Sequence, residues 1–95
     1  MEDFILRQDG NVIAKFDRIS DLLEEKGPDL GMPMTRNLGG GLYELRIRGK
    51  NEVRIFYIAF YDPVTIIMLH AFKKKTQKIP EKELTIARKR QKELT

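Results

Sequence analysis

The sequence predicts an α+β fold in which an antiparallel β-meander carries helices packed on one face. Three observations predict it: a helical stripe of apolar residues in the first third of the chain, three short strand patterns separated by turn residues, and a proline-led helix at the end. With 95 residues, the chain has room for one domain, spanning residues 1–95, and one hydrophobic core.

The first helix is predicted by apolar residues that recur at i, i+4, i+7 and i+11 within residues 11–26. They are Val12, Phe16, Ile19 and Leu23. This spacing places them along one side of a helix, which can then face a core. The helix is expected to end at Gly27-Pro28, because glycine tolerates a left-handed cap and proline cannot continue a helix.

Residues 29–41, with Pro33 and three consecutive glycines, are expected to form a connecting loop. Residues 42–48 then alternate between apolar and polar side chains, and residues 53–61 and 64–72 are rich in β-branched and aromatic types. Turns are expected at residues 49–51 and at Asp62-Pro63. The three segments therefore predict consecutive antiparallel strands.

The final helix is expected to begin near Pro80, since proline is well suited to the first turn of a helix. Its apolar stripe is thin, consisting of Leu84, Ala87 and Leu94. We therefore expect this helix to dock weakly or to fray at its end.

Composition excludes several classes of protein. The chain has no cysteine and a single histidine, His70, so a disulfide framework and a structural zinc site are not expected. Its apolar stretches, such as residues 64–69, are too short to span a bilayer. The acidic residues 1–3 are unlike the start of a secretory signal. These features predict a cytoplasmic protein.

Charge is distributed unevenly along the chain. Residues 1–72 contain nine Lys/Arg and eleven Asp/Glu, whereas residues 73–95 contain nine Lys/Arg and three Asp/Glu. The first part has a net charge of −2 and the second +6. A basic end favours a polyanion such as RNA or DNA, or an acidic protein groove, although a solvated basic helix gives the same pattern.

The first hairpin predicts that two arginines lie side by side. If residues 49–51 form a three-residue loop, Arg46 pairs with Arg54, while Leu45 meets Ile55 on the opposite face. Two like charges at opposed positions destabilise a sheet, and arginine cannot lose its proton to relieve the repulsion. A phosphate bridging the two guanidinium groups would resolve the conflict.

Two alternatives to an anion remain open at this pair. Both side chains can extend into water, or Glu44 and Glu52 can neutralise them. A meander also returns the end of the third strand to the neighbourhood of Arg54, and that end carries a basic segment, Lys73, Lys74 and Lys75. Basic groups from three strands would then converge, which supports polyanion binding but does not by itself indicate cleavage.

Four segments resemble the phage-derived HigB-like branch of the RelE/HigB-like toxins of type II toxin–antitoxin systems. They are LLEEKGPDLG at residues 22–31, GLYELR at 41–46, VRIFY at 53–57 and LHAFKKKTQKIP at 69–80. The resemblance extends from about residue 12 to the end of the chain. It implies a compact microbial RNase-like fold and a cytoplasmic mRNA endonuclease that acts in the ribosomal A site without a metal or other cofactor.

The resemblance also implies partners and site residues. A small antitoxin, often of the helix-turn-helix type, would neutralise the toxin, and the ribosome and its mRNA would be the target. Arg46 and Arg54 match positions that hold the scissile phosphate, and the basic segment matches the part that closes the site. The residues expected to act in catalysis are Arg46, Arg54, Lys74 and His70, and those expected to bind RNA are Arg48, Lys73, Lys75 and Lys78.

The implied reaction is attack of a ribose 2′-OH on the neighbouring phosphate, which needs a base, an acid and cations. His70 has a suitable side chain because imidazole titrates near neutral pH, yet a single histidine in an apolar strand is usually structural. Whether it shares the arginine face depends on the Asp62-Pro63 turn. A lysine beside other cations and Glu44 are further candidates, so the acid and the base stay unassigned.

One departure and two rival functions remain. The family usually opens with a β-strand, whereas here residues 4–6 fall where the first helix begins, so either the start codon is called too late or the first strand is lost. Other members of the superfamily poison DNA gyrase without cutting RNA. The chain can also be an inactive remnant that only binds its antitoxin.

Overall fold

In the computed structural model, which describes residues 4–5, 7–8, 10–31, 34–48, 52–61, 63–74 and 79–95, two helices pack against a four-stranded antiparallel sheet. The sheet has the order β1-β2-β3-β4, so each strand pairs with the next along the chain. The predicted α+β class is confirmed. The elements are α1 (Gly10–Lys26), β1 (Thr35–Gly39), β2 (Leu42–Ile47), β3 (Val53–Phe60), β4 (Thr65–Lys73) and α2 (Glu81–Leu94).

Helix α1 forms as its apolar stripe predicts. Val12, Ile19 and Leu23 are buried against the sheet. The helix ends at Gly27, which has a φ of 100° and donates its backbone N–H to the Leu23 carbonyl at 2.9 Å. This is the left-handed cap that favours glycine at the end of a helix.

Strand β3 determines how the two helices are arranged. Its residues 53–58 are all buried, so both of its faces must be covered. Ile55 and Tyr57 belong to the hydrophobic cluster under α1, whereas Phe56 and Ile58 belong to a second cluster with Ala87 of α2. The helices were expected on one face of the sheet, but they pack on opposite faces, here named the α1 face and the α2 face.

The segment predicted as a loop contains β1, which forms one edge of the sheet. Arg36 lies opposite Glu44 and Asn37 opposite Tyr43, with a register shift before Gly39. Thr35 is fully buried, and its Oγ1 accepts the backbone N–H groups of Leu30 and Gly31 at 3.0 and 2.9 Å. The three glycines, interpreted from the sequence as part of a loop, connect β1 and β2.

Helix α2 is held by polar contacts that its thin apolar stripe does not predict. Arg88 Nη1 donates to the Gly39 carbonyl at 3.1 Å, and Gln91 Nε2 donates to the Gly40 carbonyl at 2.7 Å. Arg90 Nη1 donates to the Leu69 carbonyl at 2.6 Å. A side chain on Gly40, whose φ is +63°, would place its Cβ 3.1 Å from Arg88 Nη1, so glycine suits this approach.

Several expectations concern residues outside the described part of the chain. These are residues 1–3, Leu6, the turn at residues 49–51, Asp62 and the basic residues Lys75 and Lys78. Before Gly10, the described Phe4 and Ile5 are helical, and no strand occurs among the described residues there. Within the described residues, neither helix is long and apolar enough to cross a membrane.

The docking of α2 through Ala87 gives a testable prediction. Ala87 is completely buried between α2 and the sheet, whereas Thr85 on the same helix is exposed. Ala87→Glu should lower the free energy of unfolding by about 3 kcal/mol or more, because it buries a charge without a partner. Urea unfolding followed by circular dichroism measures the change.

Thr85→Glu is the matched control, since it introduces the same side chain on the exposed side of α2. It should change the free energy of unfolding by no more than about 0.5 kcal/mol. Equal stabilities of the two variants would contradict the packing of α2 described above.

Candidate functional site

Arg46 of β2 and Arg54 of β3 are directly opposed in the sheet. The register of this hairpin is as predicted: Arg46 pairs with Arg54, Leu45 with Ile55 and Ile47 with Val53. Because Leu45 and Ile55 face α1, the alternation along each strand puts the two arginines on the α2 face.

The burial of this pair differs from the expectation. Both arginines were expected on an open face away from the helices, but α2 covers part of that face. Arg54 is only 1% exposed, and the Arg46 side chain is 14% exposed. Arg54 is therefore part of the interior, and only Arg46 reaches the surface.

Two glutamates accompany the arginine pair. Glu44, itself 1% exposed, lies with Oε1 3.9 Å from Arg46 Nε and with Oε2 3.9 Å from Arg54 Nε. Glu52 Oε2 accepts a hydrogen bond from Arg54 Nη2 at 3.0 Å. The group of Arg46, Arg54, Glu44 and Glu52, here called the arginine site, is formally neutral. Neutralisation by glutamates, left open by the sequence, is therefore observed.

Arg54 keeps unused hydrogen-bonding capacity. Its Nε and Nη1 are buried and have no hydrogen-bond partner among the described residues, since 3.9 Å to Glu44 is too long for a hydrogen bond. Burial lowers the pKa of the Arg54 guanidinium and Arg46 lowers it further, whereas Glu44 and Glu52 raise it. A buried donor without an acceptor costs about 1–3 kcal/mol, so an acceptor at this point would be bound favourably.

The basic residues expected to surround the pair are partly brought to it. Lys74 lies beside β3, and its backbone N–H donates to the Glu52 carbonyl at 2.8 Å. Lys73 is exposed at the end of β4, opposite Val53. Arg48 is exposed just beyond β2. Lys75 and Lys78 lie outside the described residues.

His70 shares the α2 face but is not opposite the arginine pair. A β-bulge in β4 pairs His70 with Phe56, while Phe72 is the residue opposite Arg54. The His70 Nε2 atom contacts Glu83 Oε2, and Nδ1 lies 3.4 Å from Arg90 Nη1. Both ring nitrogens are thus engaged by α2, so the contacts of His70 are those of a residue that holds the helix on the sheet.

A basic cleft that the sequence patterns did not predict lies between α1 and β2. This cleft encloses about 460 Å³. Its lining includes Lys15 and Arg18 of α1, together with Arg46 and Arg48. The available signal was the helical spacing of Lys15, Arg18, Ile19 and Leu22, which places basic and apolar side chains on one stripe of α1.

The molecule is thus a small α+β protein with a pair of arginines on adjacent strands. Residues 3–92 match the family described as "Phage derived protein Gp49-like (DUF891)". The chain therefore belongs to the phage-derived Gp49-like family, which is a RelE/HigB-like toxin family of toxin–antitoxin systems. The searches of curated proteins and of solved structures gave no significant match.

Because Arg54 is buried, replacing it should destabilise the fold, whereas replacing an arginine on an open face should not. Arg54→Met should lower the free energy of unfolding by about 3 kcal/mol, because buried Glu44 loses one of the two cations that balance its charge. Arg48→Met, at an exposed position, should change it by about 0.5 kcal/mol or less. Urea unfolding of the two variants measures both values.

Adding Glu44→Gln to Arg54→Met tests the cause. The amide removes the buried charge that Arg54 no longer balances, so the double variant should be more stable than Arg54→Met alone. If Arg54→Met and Arg48→Met are equally stable, the charges of the arginine site do not depend on each other as described.

Proposed function

We propose that this toxin cleaves mRNA in the A site of the ribosome, within the HigB-like branch of its superfamily. The observation that carries the proposal is the opposed pair Arg46 and Arg54, in which Arg54 holds buried donors that no described residue satisfies. Phosphate oxygens accept hydrogen bonds from guanidinium groups in a matching geometry.

The chemistry suited to this pair is attack by a ribose 2′-OH on the adjacent phosphorus. A new P–O2′ bond forms, the P–O5′ bond breaks, and negative charge increases on the phosphate oxygens. Arg46, at the surface, would contact the phosphate, and Arg54 would stabilise the charge from within the sheet. The reaction needs one group to remove the 2′ proton and another to protonate O5′.

Glu44 is better placed than His70 to exchange a proton at the arginine site. It is the carboxylate that lies 3.9 Å from both Arg46 and Arg54, whereas His70 contacts Glu83 and Arg90 on α2. Glu44 is therefore preferred to His70 as the candidate base. Lys74, which lies beside Glu52, is the candidate acid.

RNA binding would depend on charges outside the arginine site. The two glutamates cancel the two arginines, so the net attraction for a polyanion must come from neighbouring cations. The residues proposed for this role from the sequence are Arg48, Lys73, Lys74, Lys75 and Lys78. The same positive surface favours an acidic antitoxin partner, for which a helix-turn-helix type is expected.

The neutral, buried arginine site also favours a second candidate function. A chain in which glutamates have replaced substrate as the partners of both arginines could bind its antitoxin without cutting RNA. The two functions differ in whether mRNA is cleaved on the ribosome, and the following experiment decides between them.

Arg46→Ala should lower the rate of ribosome-dependent mRNA cleavage about 100-fold or more, as is typical when one donor to a developing charge is removed. Primer extension on mRNA in a purified translation system measures the cleavage. Lys26→Ala is the matched control, because Lys26 is exposed in the last turn of α1 and should leave the rate unchanged.

Circular dichroism must show that both variants are folded. Cleavage by Arg46→Ala at the wild-type rate would show that the arginine site does not hold the phosphate. A wild-type protein that binds ribosomes and cuts no mRNA would contradict the nuclease and support the antitoxin-binding remnant.

Ribosome binding should be steeply salt dependent, and the basic segment should supply much of the slope. Changing Lys73, Lys74 and Lys75 to glutamine should reduce the slope of log affinity against log salt by about two to three, because each phosphate contact contributes roughly 0.7–0.9. Sedimentation with ribosomes over a range of salt concentrations measures the slope.

The matched control removes three charges from α2 by changing Lys82, Lys89 and Lys92 to glutamine. These residues are exposed, whereas Arg88 and Arg90 donate to backbone carbonyls and would confound the comparison. If the α2 triple variant lowers the slope more than the basic-segment variant, the polyanion is bound by α2.

A further inference from the structure

The cleft between α1 and β2 combines positive charge with exposed apolar surface. Four of the eight described residues that line it are basic, namely Lys15, Arg18, Arg46 and Arg48, and none of these eight is acidic. The other four are aliphatic or methionine. Its volume of about 460 Å³ lies within the usual range of ligand sites, about 300–1,000 Å³.

The apolar part of the cleft has a buried floor and accessible walls. Ile19 and Ile47 are buried and belong to the core under α1, so they form the floor. Leu22 is half-buried, and Met34 is 37% exposed. Methionine adapts its shape readily and is common at surfaces that bind apolar partners. The walls therefore offer apolar area that a partner could cover.

The basic side chains on α1 are positioned for an external partner. Lys15 Nζ donates to the Arg48 carbonyl at 2.6 Å, which ties α1 to the end of β2 and leaves the remaining Lys15 donors available. Arg18 is exposed and makes no hydrogen bond or ion pair with any of the described residues. Its guanidinium can therefore bind a carboxylate at little cost.

We propose that the antitoxin docks in this cleft through an acidic amphipathic segment, with apolar side chains against Leu22 and Met34 and carboxylates beside Lys15 and Arg18. This requires an antitoxin, which the family implies, but does not require RNA cleavage. The four basic residues among the described lining supply the charge complementarity.

RNA fits this cleft less well than a peptide does. Proteins that hold single-stranded RNA commonly stack its bases on aromatic side chains, and none of the described residues that line the cleft is aromatic. A phosphate backbone would use the basic residues but would leave the walls formed by Leu22 and Met34 in contact with water. An amphipathic peptide covers both kinds of surface.

Fluorescence anisotropy with synthetic probes tests the docking on the full chain. The main probe is a labelled helical peptide with leucines along one side and glutamates flanking them. Arg18→Glu should weaken its binding about tenfold, because an attraction becomes a repulsion. Lys89→Glu, which reverses an exposed charge on α2, should change the affinity by less than about twofold.

Two further probes decide what the cleft recognises. A peptide with serine in place of each leucine should bind about tenfold more weakly than the main probe, since the buried apolar contacts are lost. An oligouridylate should lose less affinity from Arg18→Glu than the main probe does. No binding of the main probe, equal binding of the serine peptide, or equal effects of Arg18→Glu and Lys89→Glu would each overturn the proposal.

The RNA probe separates the two kinds of occupant. If Arg18→Glu weakens oligouridylate binding more than peptide binding, the cleft is an RNA site and the proposal is wrong. Ribosome-dependent cleavage is measured on the same variant and should fall much less than peptide binding does. Loss of peptide binding with a smaller change in cleavage supports the docking, whereas a wild type that never cleaves argues against the proposed function and leaves the docking supported.

Discussion

This structure depends on β3, a strand that is buried on both faces and yet contains an arginine. Residues 53–58 of β3 are all buried, and Arg54 is the charged residue among them. The apolar residues on one side need α1 and those on the other need α2, so the chain must place its helices on opposite faces. Arg54 is then enclosed by the same packing that covers Phe56 and Ile58.

An enclosed guanidinium stays charged and requires compensation nearby. Glu44 on β2 and Glu52 at the start of β3 supply it, and the register places Arg46 beside them. Compensation is incomplete because Arg54 Nε and Nη1 find no hydrogen-bond partner among the described residues. These buried donors are what the formally neutral site offers to an acceptor. Under the proposed function, the phosphate of an RNA substrate would be that acceptor.

The features predicted correctly from the sequence are those that a local period determines. The stripe of α1 and the pairing of Arg46 with Arg54 follow from spacings of 3.6 and 2 residues. The sheet face on which α2 packs could have been predicted from β3. Apolar residues flank Arg54 in this strand, and such a run indicates that both faces of the strand are covered. Strand β1 has five residues, mostly polar, and the glycines that follow it are equally consistent with a loop.

Other features have no local signal. The position of His70 on the α2 face depends on a bulge in β4. At this bulge the pairing of β4 with β3 shifts by one residue between Phe56 and Tyr57. The hydrogen bonds from Arg88 and Gln91 join residues about fifty positions apart. Five basic residues in the last helix suggest RNA binding from composition alone, whereas two of them, Arg88 and Arg90, donate to backbone carbonyls and fix α2. Charge counts therefore overestimate the cations available to a polyanion.

Arg46 is shared by the arginine site and the cleft beside α1. In the arginine site it lies near Glu44, and it also lines the cleft. A peptide that brings carboxylates to the cleft would lower the positive potential at Arg46, and a phosphate at the arginine site would do the same from the other face. The two ligands would then weaken each other's binding by the same factor, because such coupling is reciprocal. Under this arrangement an antitoxin could reduce RNA binding without covering the arginine site, through a residue that both surfaces share.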